Sequence, residues 1–197
     1  MAEKEKIINN VPVEVSARHV HLCRADLDKL FGRGYKLTKL HNLHQPGEFA
    51  AKETIEIKGN SEKKLTLRVI GPVRKKTQVE LSKTDAIALQ LNAPIRDSND
   101  IKGTPGAVLI GPQGKVKLKQ GVINNWRHLH CSLKEAEKLG LKDKMLVSAR
   151  LNGLGAVTFH NVKVRLSNKA CLSLHLDTDE GNAANIKRKS KGKIIIC

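Results

Sequence analysis

The feature that most constrains the fold of this 197-residue chain is a tetrapeptide, Arg-His-apolar-His, that occurs twice. It reads RHVH at 18–21 and RHLH at 127–130, and the two copies contain four of the eight histidines. The longer segments that begin with these copies, 18–30 and 127–139, are identical at five of their thirteen positions. We infer an internal duplication, in which each half of about 100 residues is long enough to form a small domain.

Each copy predicts a short extended segment followed by a helix. In the second copy, Ser132 and Glu135 have the spacing of a capping box at the start of a helix. Cys23 and Asp26 take the same places in the first copy, and Gly32 is expected to end that helix. Because successive side chains of an extended segment point to opposite faces, the two imidazoles of each pair should lie on one face.

Short apolar segments separated by turns make up most of the remaining sequence. This pattern predicts closed or sandwiched β-sheets with a few short helices. The predicted strands are 53–58, 64–70, 107–119 (a hairpin), 144–150, 162–167 and 171–176.

A polar stretch at 96–106, rich in turn-forming residues, predicts the junction between the two halves. We therefore expect one domain at 1–100 and a second at 101–186, followed by a basic tail at 187–197. Within this tail, the run KRKSKGK at 187–193 predicts a disordered segment.

The charge of the chain restricts the classes of ligand. Thirty-six Lys and Arg against nineteen Asp and Glu give a net charge of +17, which attracts polyanions. Aromatic residues are only 3% of the sequence, so few side chains could stack on bases, and this disfavours nucleic acid as the ligand. A small polyanion would use the same positive field, and a solvated basic surface needs no ligand at all.

The sequence predicts a cytoplasmic protein. The first ten residues, MAEKEKIINN, lack an apolar segment, and no apolar run approaches 18 residues, so we expect neither a signal peptide nor a membrane span. The four cysteines show no C-x-x-C spacing, which disfavours a disulfide-stapled scaffold and fits a reducing compartment. The sequence leaves the formation of a homo-oligomer open.

A second repeat, late in each half, adds a third candidate metal ligand to each histidine pair. Residues 77–88 align with 172–183, and this alignment puts Glu80 at the position of His175. Three nitrogen or oxygen donors with a fourth position open are the arrangement of a catalytic zinc, and two such sites facing each other would form a two-zinc centre. Histidines that only pack in a duplicated fold are the alternative. The predicted ligands are His19, His21 and Glu80 for one zinc, and His128, His130 and His175 for the other.

Arg74 is the candidate anion-binding residue. It follows a turn at Gly71, and an arginine beside metals can hold phosphate or carboxylate through two parallel hydrogen bonds. A surface arginine in a basic loop is the alternative. Cys23 and Cys131 also lie near the histidine pairs, but they do not align with each other, which favours thiols that only pack.

Five longer stretches, in matching order between about residues 11 and 186, together resemble the PduL-type phosphate propanoyltransferases, the phosphotransacylases found in or beside bacterial microcompartments. The stretches are VPVEVSARHVHL, QPGEFAAKETI, GPVRKKTQVELSKTDA, GVINNWRHLH and LHLDTDEGNAA. The resemblance implies two pseudo-symmetric small β-barrel domains with short helices, and two zinc ions per chain. It also implies conversion of short-chain acyl-CoA (propionyl-CoA or acetyl-CoA) and inorganic phosphate to acyl phosphate and CoA.

The resemblance further implies roles for single residues. The six candidate ligands named above correspond to the zinc ligands of the family, and Arg74 stands where the family binds phosphate. In the region 39–49, three residues depart from the pattern that we expect for the family: His41, His44 and Glu48. These departures affect the details of CoA contact. The residues at positions that line the CoA pocket are Ser16, Arg68, Ile70 and Asn182.

Two other functions remain open at this point. A di-zinc hydrolase would use the same ligands to activate water rather than phosphate. A non-catalytic basic protein that binds RNA or DNA would show salt-sensitive binding that chelators do not affect. The microcompartment members of the family carry an amphipathic N-terminal extension, and the polar residues before Val11 do not have that pattern, so association with a microcompartment is left open.

Overall fold

The computed structural model describes residues 5–186 and 190–196, and within them the chain is mainly β with four short helices. This confirms the predicted fold class. The strands are β1 (Lys6–Ser16), β2 (His19–His21), β3 (Lys39–Asn42), β4 (Phe49–Lys58), β5 (Lys64–Gly71), β6 (Gln78–Glu80), β7 (Ile95–Arg96), β8 (Ala107–Ile110), β9 (Lys115–Leu118), β10 (Val122–Asn125), β11 (His128–Cys131), β12 (Leu146–Leu151), β13 (Val157–Leu166), β14 (Ser173–Asp177) and β15 (Ser190–Ile196). The helices are α1 (Arg24–Phe31), α2 (Lys83–Ala88), α3 (Leu133–Leu139) and α4 (Thr178–Ala183). None of these helices is long and apolar enough to span a membrane.

The chain divides into two compact units. The sheet unit is Ala17–Asn125, and the barrel unit consists of the described residues of Met1–Ser16 and Trp126–Cys197. These boundaries differ from the predicted halves 1–100 and 101–186. The difference arises because β1 pairs with β14 and β15, so the first strand of the chain joins residues of the second half.

The barrel unit is a closed six-stranded barrel in the order β1-β14-β11-β13-β12-β15. The early part of β1 pairs antiparallel with β15, and its last four residues pair parallel with β14. Apolar side chains fill the interior, and the burial of each such side chain contributes roughly 1.5–3 kcal/mol. The fully buried ones include Val11, Leu129, Val162, Val164, Leu174 and Ile194.

The strand β15 (Ser190–Ile196) includes part of the run 187–193 that was predicted to be disordered, so the prediction is wrong for residues 190–193. Lys191 and Lys193 are exposed, whereas Gly192 and Ile194 between and after them are buried. Exposed and buried residues alternate here as in a half-buried strand, but the many lysines made the segment resemble a disordered basic run. Residues 187–189 and residue 197 of the predicted tail lie outside the described residues.

The sheet unit contains a curled sheet in the order β7-β10-β6-β2-β5-β4-β8-β9, with β3 added on β4. Its core includes Val20, Val69 and Val79, which lie on three adjacent strands, together with Leu27 and Leu30 of α1. Val20 is the apolar residue of the first Arg-His-apolar-His motif and Leu129 that of the second, so in each unit this residue anchors the motif in the core.

The helix caps follow the sequence with one exception. Ser132 and Glu135 form the predicted capping box of α3. Cys23 is the N-cap of α1 as predicted, but its side chain makes no capping hydrogen bond. The hydroxyl of Thr77 instead bridges two groups at this end of the helix, because it accepts from the Cys23 amide at 3.0 Å and donates to the carboxylate of Asp26. The sequence could not reveal this bridge, since Thr77 is far from α1 along the chain.

Candidate metal sites

The two histidine pairs lie in the same strand environment in their respective units. In the sheet unit, β2 has β5 as its parallel neighbour and β6 as its antiparallel neighbour. In the barrel unit, β11 lies in the same way between β13 and β14. His19 is directly opposite Glu80, and His128 is directly opposite His175. The third candidate ligand therefore occupies the same register position in both units.

In the sheet unit the donor atoms of His19, His21 and Glu80 all lie within 4.8 Å of one another. Nε2 of His19 is 3.4 Å from Oε2 of Glu80, and Nε2 of His21 is 4.0 Å from Oε1. Ligand atoms about 2.0–2.1 Å from a tetrahedral zinc lie about 3.3 Å from each other. One observed distance equals that value to within about 0.1 Å and the other is about 0.7 Å longer, so small side-chain movements would let this group hold a zinc ion.

In the barrel unit the donor atoms of His128, His130 and His175 form a second such group. The Nε2 atoms of His128 and His130 are 3.1 Å apart. The ring of His175 lies 5.1 Å from that of His128 and 4.7 Å from that of His130, measured between centroids. Three imidazoles with this convergence are a known ligand set of catalytic zinc.

Main-chain carbonyls orient the first histidine of each pair. Nδ1 of His19 lies 2.8 Å from the carbonyl oxygen of Ala17, and Nδ1 of His128 lies 2.7 Å from that of Trp126. A carbonyl oxygen can only accept, so Nδ1 carries the proton in both rings and Nε2 presents its lone pair to the neighbouring candidate ligands. This is the tautomer that an Nε2-bound metal requires.

Burial keeps two of these imidazoles neutral. The pKa of His21 lies well below its ordinary value, first because the ring is buried and then because His19 and Arg74 lie close to it. The pKa of His128 is lowered in the same way, first by burial and then by the neighbouring Arg165 and His175. A metal binds the neutral form of histidine, so these two imidazoles are in the protonation state that a divalent cation needs.

Polar side chains hold the carboxylate of Glu80 in place. Its Oε1 accepts from Nε2 of Gln78 at 2.6 Å and from the hydroxyl of Ser98 at 3.2 Å. Its Oε2 accepts from Nδ2 of Asn125 at 2.7 Å. None of these three residues was predicted from the sequence. Strand alternation could have suggested Gln78, which lies two residues before Glu80, but no local signal marks Ser98, which lies in the stretch assigned to the domain junction.

The barrel unit has its own polar neighbours of the third ligand. The hydroxyl of Ser173 lies 3.1 Å from Nε2 of His175, and Ser173 has the same place relative to His175 that Gln78 has relative to Glu80. Glu14 of β1 is opposite His175, with its Oε2 3.7 Å from Nε2. A carboxylate therefore lies beside this all-histidine group as well.

The arginine of the repeated motif forms an ion pair in each unit. Nη1 of Arg18 is 2.6 Å from Oδ1 of Asp85, and Nε of Arg127 is 2.8 Å from Oε1 of Glu180. Each acid is the third residue after the N-cap of the short helix that follows the third candidate ligand. The arginine thus connects the two segments of sequence that supply the ligands of its unit. The repeat of this arginine is visible in the sequence, but its role is not.

Arg74 lies in a hydrogen-bonded network with the first candidate metal site. Its Nη1 donates to the hydroxyl of Ser98 at 3.1 Å, and this hydroxyl in turn contacts Glu80. Its Nη2 donates to Oε1 of Glu48 at 2.9 Å. The guanidinium is therefore only one side chain away from a candidate ligand, and a carboxylate already contacts it.

The structure places the four residues predicted to line the CoA pocket as two pairs. Arg68 and Ile70 lie two positions apart on β5 beside the first histidine pair, so their side chains share one face of the strand. The guanidinium of Arg68 donates to the carbonyl of Lys52 at 2.8 Å. Ser16 ends β1 opposite the N-cap of α4, the helix that contains the exposed Asn182. Their contact with CoA stays a prediction.

The two thiols near the histidines have different environments. Cys131 is fully buried in the core of the barrel, and burial, with the nearby Glu135, raises its pKa to about 11. It is therefore a thiol, not a thiolate, near neutral pH, which is the unreactive form. Cys23 is half-buried at the start of α1.

Comparison with known proteins identifies the family. The model of the phosphate propanoyltransferase family matches residues 12–187. The chain is similar to the phosphate propanoyltransferase of Thermotoga maritima, with 50% identity over 87% of this chain and 82% of the relative. It is 43% identical to the enzymes of the same name from Listeria monocytogenes and Clostridioides difficile, over 94% of this chain and 87% and 88% of theirs. The chain belongs to the phosphate propanoyltransferase family and is an acyltransferase, as its motifs predicted.

Proposed function

We propose that this protein transfers a short-chain acyl group, propionyl or acetyl, from CoA to inorganic phosphate and that it uses two zinc ions, one in each unit. The observation that best supports the metal part of this proposal is the repeated geometry of the two groups of candidate ligands. Each group combines a His-x-His strand with a third donor directly across the neighbouring strand. Membership in the family supports the reaction itself.

The ligands of the two ions would be His19, His21 and Glu80 in the sheet unit, and His128, His130 and His175 in the barrel unit. Three protein donors leave a fourth position for a substrate atom. When bound there, zinc would neutralise charge on phosphate and stabilise negative charge on the thioester oxygen.

The chain's own part in the reaction is to bind and orient. Arg74 would hold two phosphate oxygens with its planar guanidinium, while Ser16, Arg68, Ile70 and Asn182 would contact CoA. A phosphate oxygen attacks the thioester carbon, a carbon–oxygen bond forms and the carbon–sulfur bond breaks. The proton of hydrogen phosphate passes to the CoA sulfur, so the products are acyl phosphate and CoA. Direct transfer needs no protein nucleophile, which agrees with the burial of Cys131.

Metal analysis together with a CoA-release assay tests this proposal. We expect two zinc ions per chain and release of CoA from acetyl-, propionyl- and butyryl-CoA that depends on phosphate and produces acyl phosphate. Equal release without phosphate would instead indicate a hydrolase. Salt-sensitive binding of RNA or DNA, with no acyl transfer and no effect of chelators, would indicate a binding protein.

Substitution of the thiols tests direct transfer separately. The variant Cys23→Ala/Cys131→Ala should retain activity, because neither sulfur forms a bond with the acyl group in this mechanism. Loss of transfer with zinc content and folding unchanged would favour an acyl-cysteine intermediate.

A further inference from the structure

We infer that Glu48 is an internal competitor of phosphate for Arg74 and thereby sets the phosphate concentration at which the enzyme works. The inference rests on the proposed function, in which Arg74 binds phosphate. In the structure the carboxylate of Glu48 already occupies part of the hydrogen-bonding edge of that guanidinium, with 2.9 Å between Nη2 and Oε1. Carboxylate and phosphate are the two anions that match the planar donor pattern of arginine, so one can replace the other.

Glu48 is held at this place by its main chain. Its carbonyl accepts from the amide of Leu43 at 3.0 Å, and its own amide donates to the carbonyl of Gln45 at 3.2 Å. These bonds close the loop between β3 and β4. The position of Glu48 is therefore a property of the loop, and does not depend on the ion pair alone.

The next residue joins this loop to the segment that carries Arg74. Phe49 is opposite Gly71 in the β4–β5 pairing, and a Cβ atom at Gly71 would lie 2.2 Å from the ring of Phe49. Only a glycine leaves room for the ring. Three residues further on, the amide of Arg74 donates to the carbonyl of Leu22 at 2.9 Å. The main chains of both partners are thus anchored, and only their side chains need to move for an anion to exchange.

The exposure of the pair makes exchange feasible. The side chain of Glu48 is 35% exposed and that of Arg74 is 22% exposed. Ion pairs with this access to water are weak, because solvent screens them and each charge is well hydrated when it separates. At the same time, the second hydrogen bond of Arg74, from Nη1 to Ser98, keeps the guanidinium directed toward the first candidate metal site. Glu48 can swing away while Arg74 stays.

The variant Glu48→Gln tests the competition, because it keeps the shape and an acceptor oxygen but removes the charge. We expect KM for phosphate to fall by about two- to fivefold, the range that corresponds to an exposed ion pair. KM for acyl-CoA should change much less than KM for phosphate, because Glu48 competes only for the donors of Arg74. Glu48→Ala should lower KM for phosphate as well, since it also removes the competitor.

The matched control is Glu62→Gln. Glu62 pairs with Lys58 at the same distance of 2.9 Å in the same unit, so its replacement removes one negative charge and one ion pair that do not involve Arg74. KM for phosphate should not change in this variant. An equal decrease would mean that the effect comes from net charge alone and would overturn the inference.

The outcomes separate this inference from the function on which it rests. If the unmodified protein shows no phosphate-dependent acyl transfer, the proposed function fails. If it shows that activity but KM for phosphate rises in Glu48→Gln and rises further in Glu48→Ala, Glu48 positions Arg74 and does not compete with phosphate. An unchanged KM in both variants would show that Glu48 has neither role.

Discussion

The barrel unit and the sheet unit have the same local geometry around their histidines, but the strands at the border of this region are connected differently in the two units. In the barrel unit, the single strand β1 pairs with β15 through its early part and with β14 through its end. In the sheet unit, two separate strands take the place of β1: β9 makes the antiparallel pairing, with β8, and β10 makes the parallel pairing, with β6. Only residues 119–121 separate β9 from β10 along the chain.

A single backbone position accounts for part of this difference. Gly121, just before β10, has a φ of 129°, a value that residues with a side chain rarely adopt. In β1 the irregularity is smaller, because the register shifts between Ile8 and Val11 around Asn10, whose φ is 59°. In the barrel unit β1 continues through the register shift, whereas in the sheet unit the chain is interrupted between β9 and β10. The register of the histidine strand with its two neighbours is the same in both units, so it does not depend on how the sheet closes.

The two candidate sites also differ in charge. The sheet unit has a carboxylate, Glu80, where the barrel unit has the imidazole of His175. Glu80 is 6% exposed and has hydrogen-bond donors at both oxygens. In the barrel unit a carboxylate, Glu14, lies 3.7 Å from His175 but on a neighbouring strand. The charge of a divalent cation would therefore be partly neutralised by its ligand Glu80 in the sheet unit and by the neighbouring Glu14 in the barrel unit.

Removal of one histidine from each unit is the test with the largest expected effect. We expect His21→Ala and His130→Ala each to lose one metal ion per chain. The activity of each should fall by more than about 100-fold, because even the partners of metal ligands contribute about 10- to 100-fold. Elemental analysis and a CoA-release assay measure both quantities.

The control for these variants is His160→Ala, since His160 is exposed and belongs to neither group of candidate ligands. It should keep both metals. If one ligand variant kept both metals and near-normal turnover, the substituted histidine would not be a metal ligand, and the two units would not be equivalent.

Replacement of Arg74 by lysine comes next and concerns the sheet unit alone. The variant keeps the charge and loses the planar pair of donors. A hydrogen bond to a charged group contributes roughly 1.5–3 kcal/mol, so kcat/KM for phosphate should fall by about 10- to 150-fold at ~1.4 kcal/mol per factor of ten. Zinc content should not change, and KM for acyl-CoA should change much less than that for phosphate.

Arg96→Lys provides the comparison for Arg74→Lys. Arg96 is paired with Asp100 at 3.7 Å and is exposed, so its replacement should leave the kinetics unaltered. If Arg74→Lys had the same kinetics for phosphate as the parent protein, Arg74 would not be the phosphate anchor. The proposal of two metal sites would still stand.

The stability of the metal-free protein should depend on pH through both units. The pKa values of His21 and His128 are lowered in the folded protein, mainly by burial. Between these values and about 6.5 the unfolded chain binds more protons than the folded one, so stability is complete above about pH 6.5 and is lost as the pH falls. The decrease should reach at most about 1.4 kcal/mol per pH unit for each group.

Urea unfolding of the chelator-treated protein at several pH values measures this decrease. The variant His128→Gln should show a shallower decline than the parent protein, because one of the two groups is absent. A free energy of unfolding that rises on acidification below pH 6.5 would contradict the assignment of these imidazoles as buried and neutral.

The ion pairs of the repeated arginine should show the smallest effects and should differ between the units. Arg18 is 41% exposed at its side chain although Asp85 is only 10% exposed, so water can take the place of the guanidinium and Arg18→Met should cost about 1 kcal/mol or less. Arg127 is 29% exposed and its partner Glu180 only 16%, and its guanidinium also lies over the ring of Phe159. We expect Arg127→Met to cost about 1–3 kcal/mol.

Denaturant unfolding of the two variants, with Arg150→Met as an exposed control in β12, gives the comparison. The control should lie within about 0.5 kcal/mol of the parent protein. An Arg18 variant less stable than the Arg127 variant would show that exposure does not control the strength of these pairs.

Local patterns in the sequence were sufficient for the mainly β fold class and for the residues of both candidate metal sites. Alternation along a strand placed the two imidazoles of each pair on one face, and the internal repeat related Glu80 to His175. The capping box of α3 was equally local. Each of these features involves residues a few positions apart, or a repeat that can be read directly, so no knowledge of strand pairing was needed.

The tertiary structure alone decided which distant residues surround these sites. Ser98 and Asn125 contact Glu80 from 18 and 45 positions away. Arg18 meets Asp85 67 positions along the chain, and Glu48 meets Arg74 across 26. The ordered strand β15 also depends on its partners, because β1 and β12 pair with its main chain on either side and Ile194 is buried in the core of the barrel. Alternation specifies which face a side chain takes, but the identity of the neighbouring strand depends on how the whole core packs.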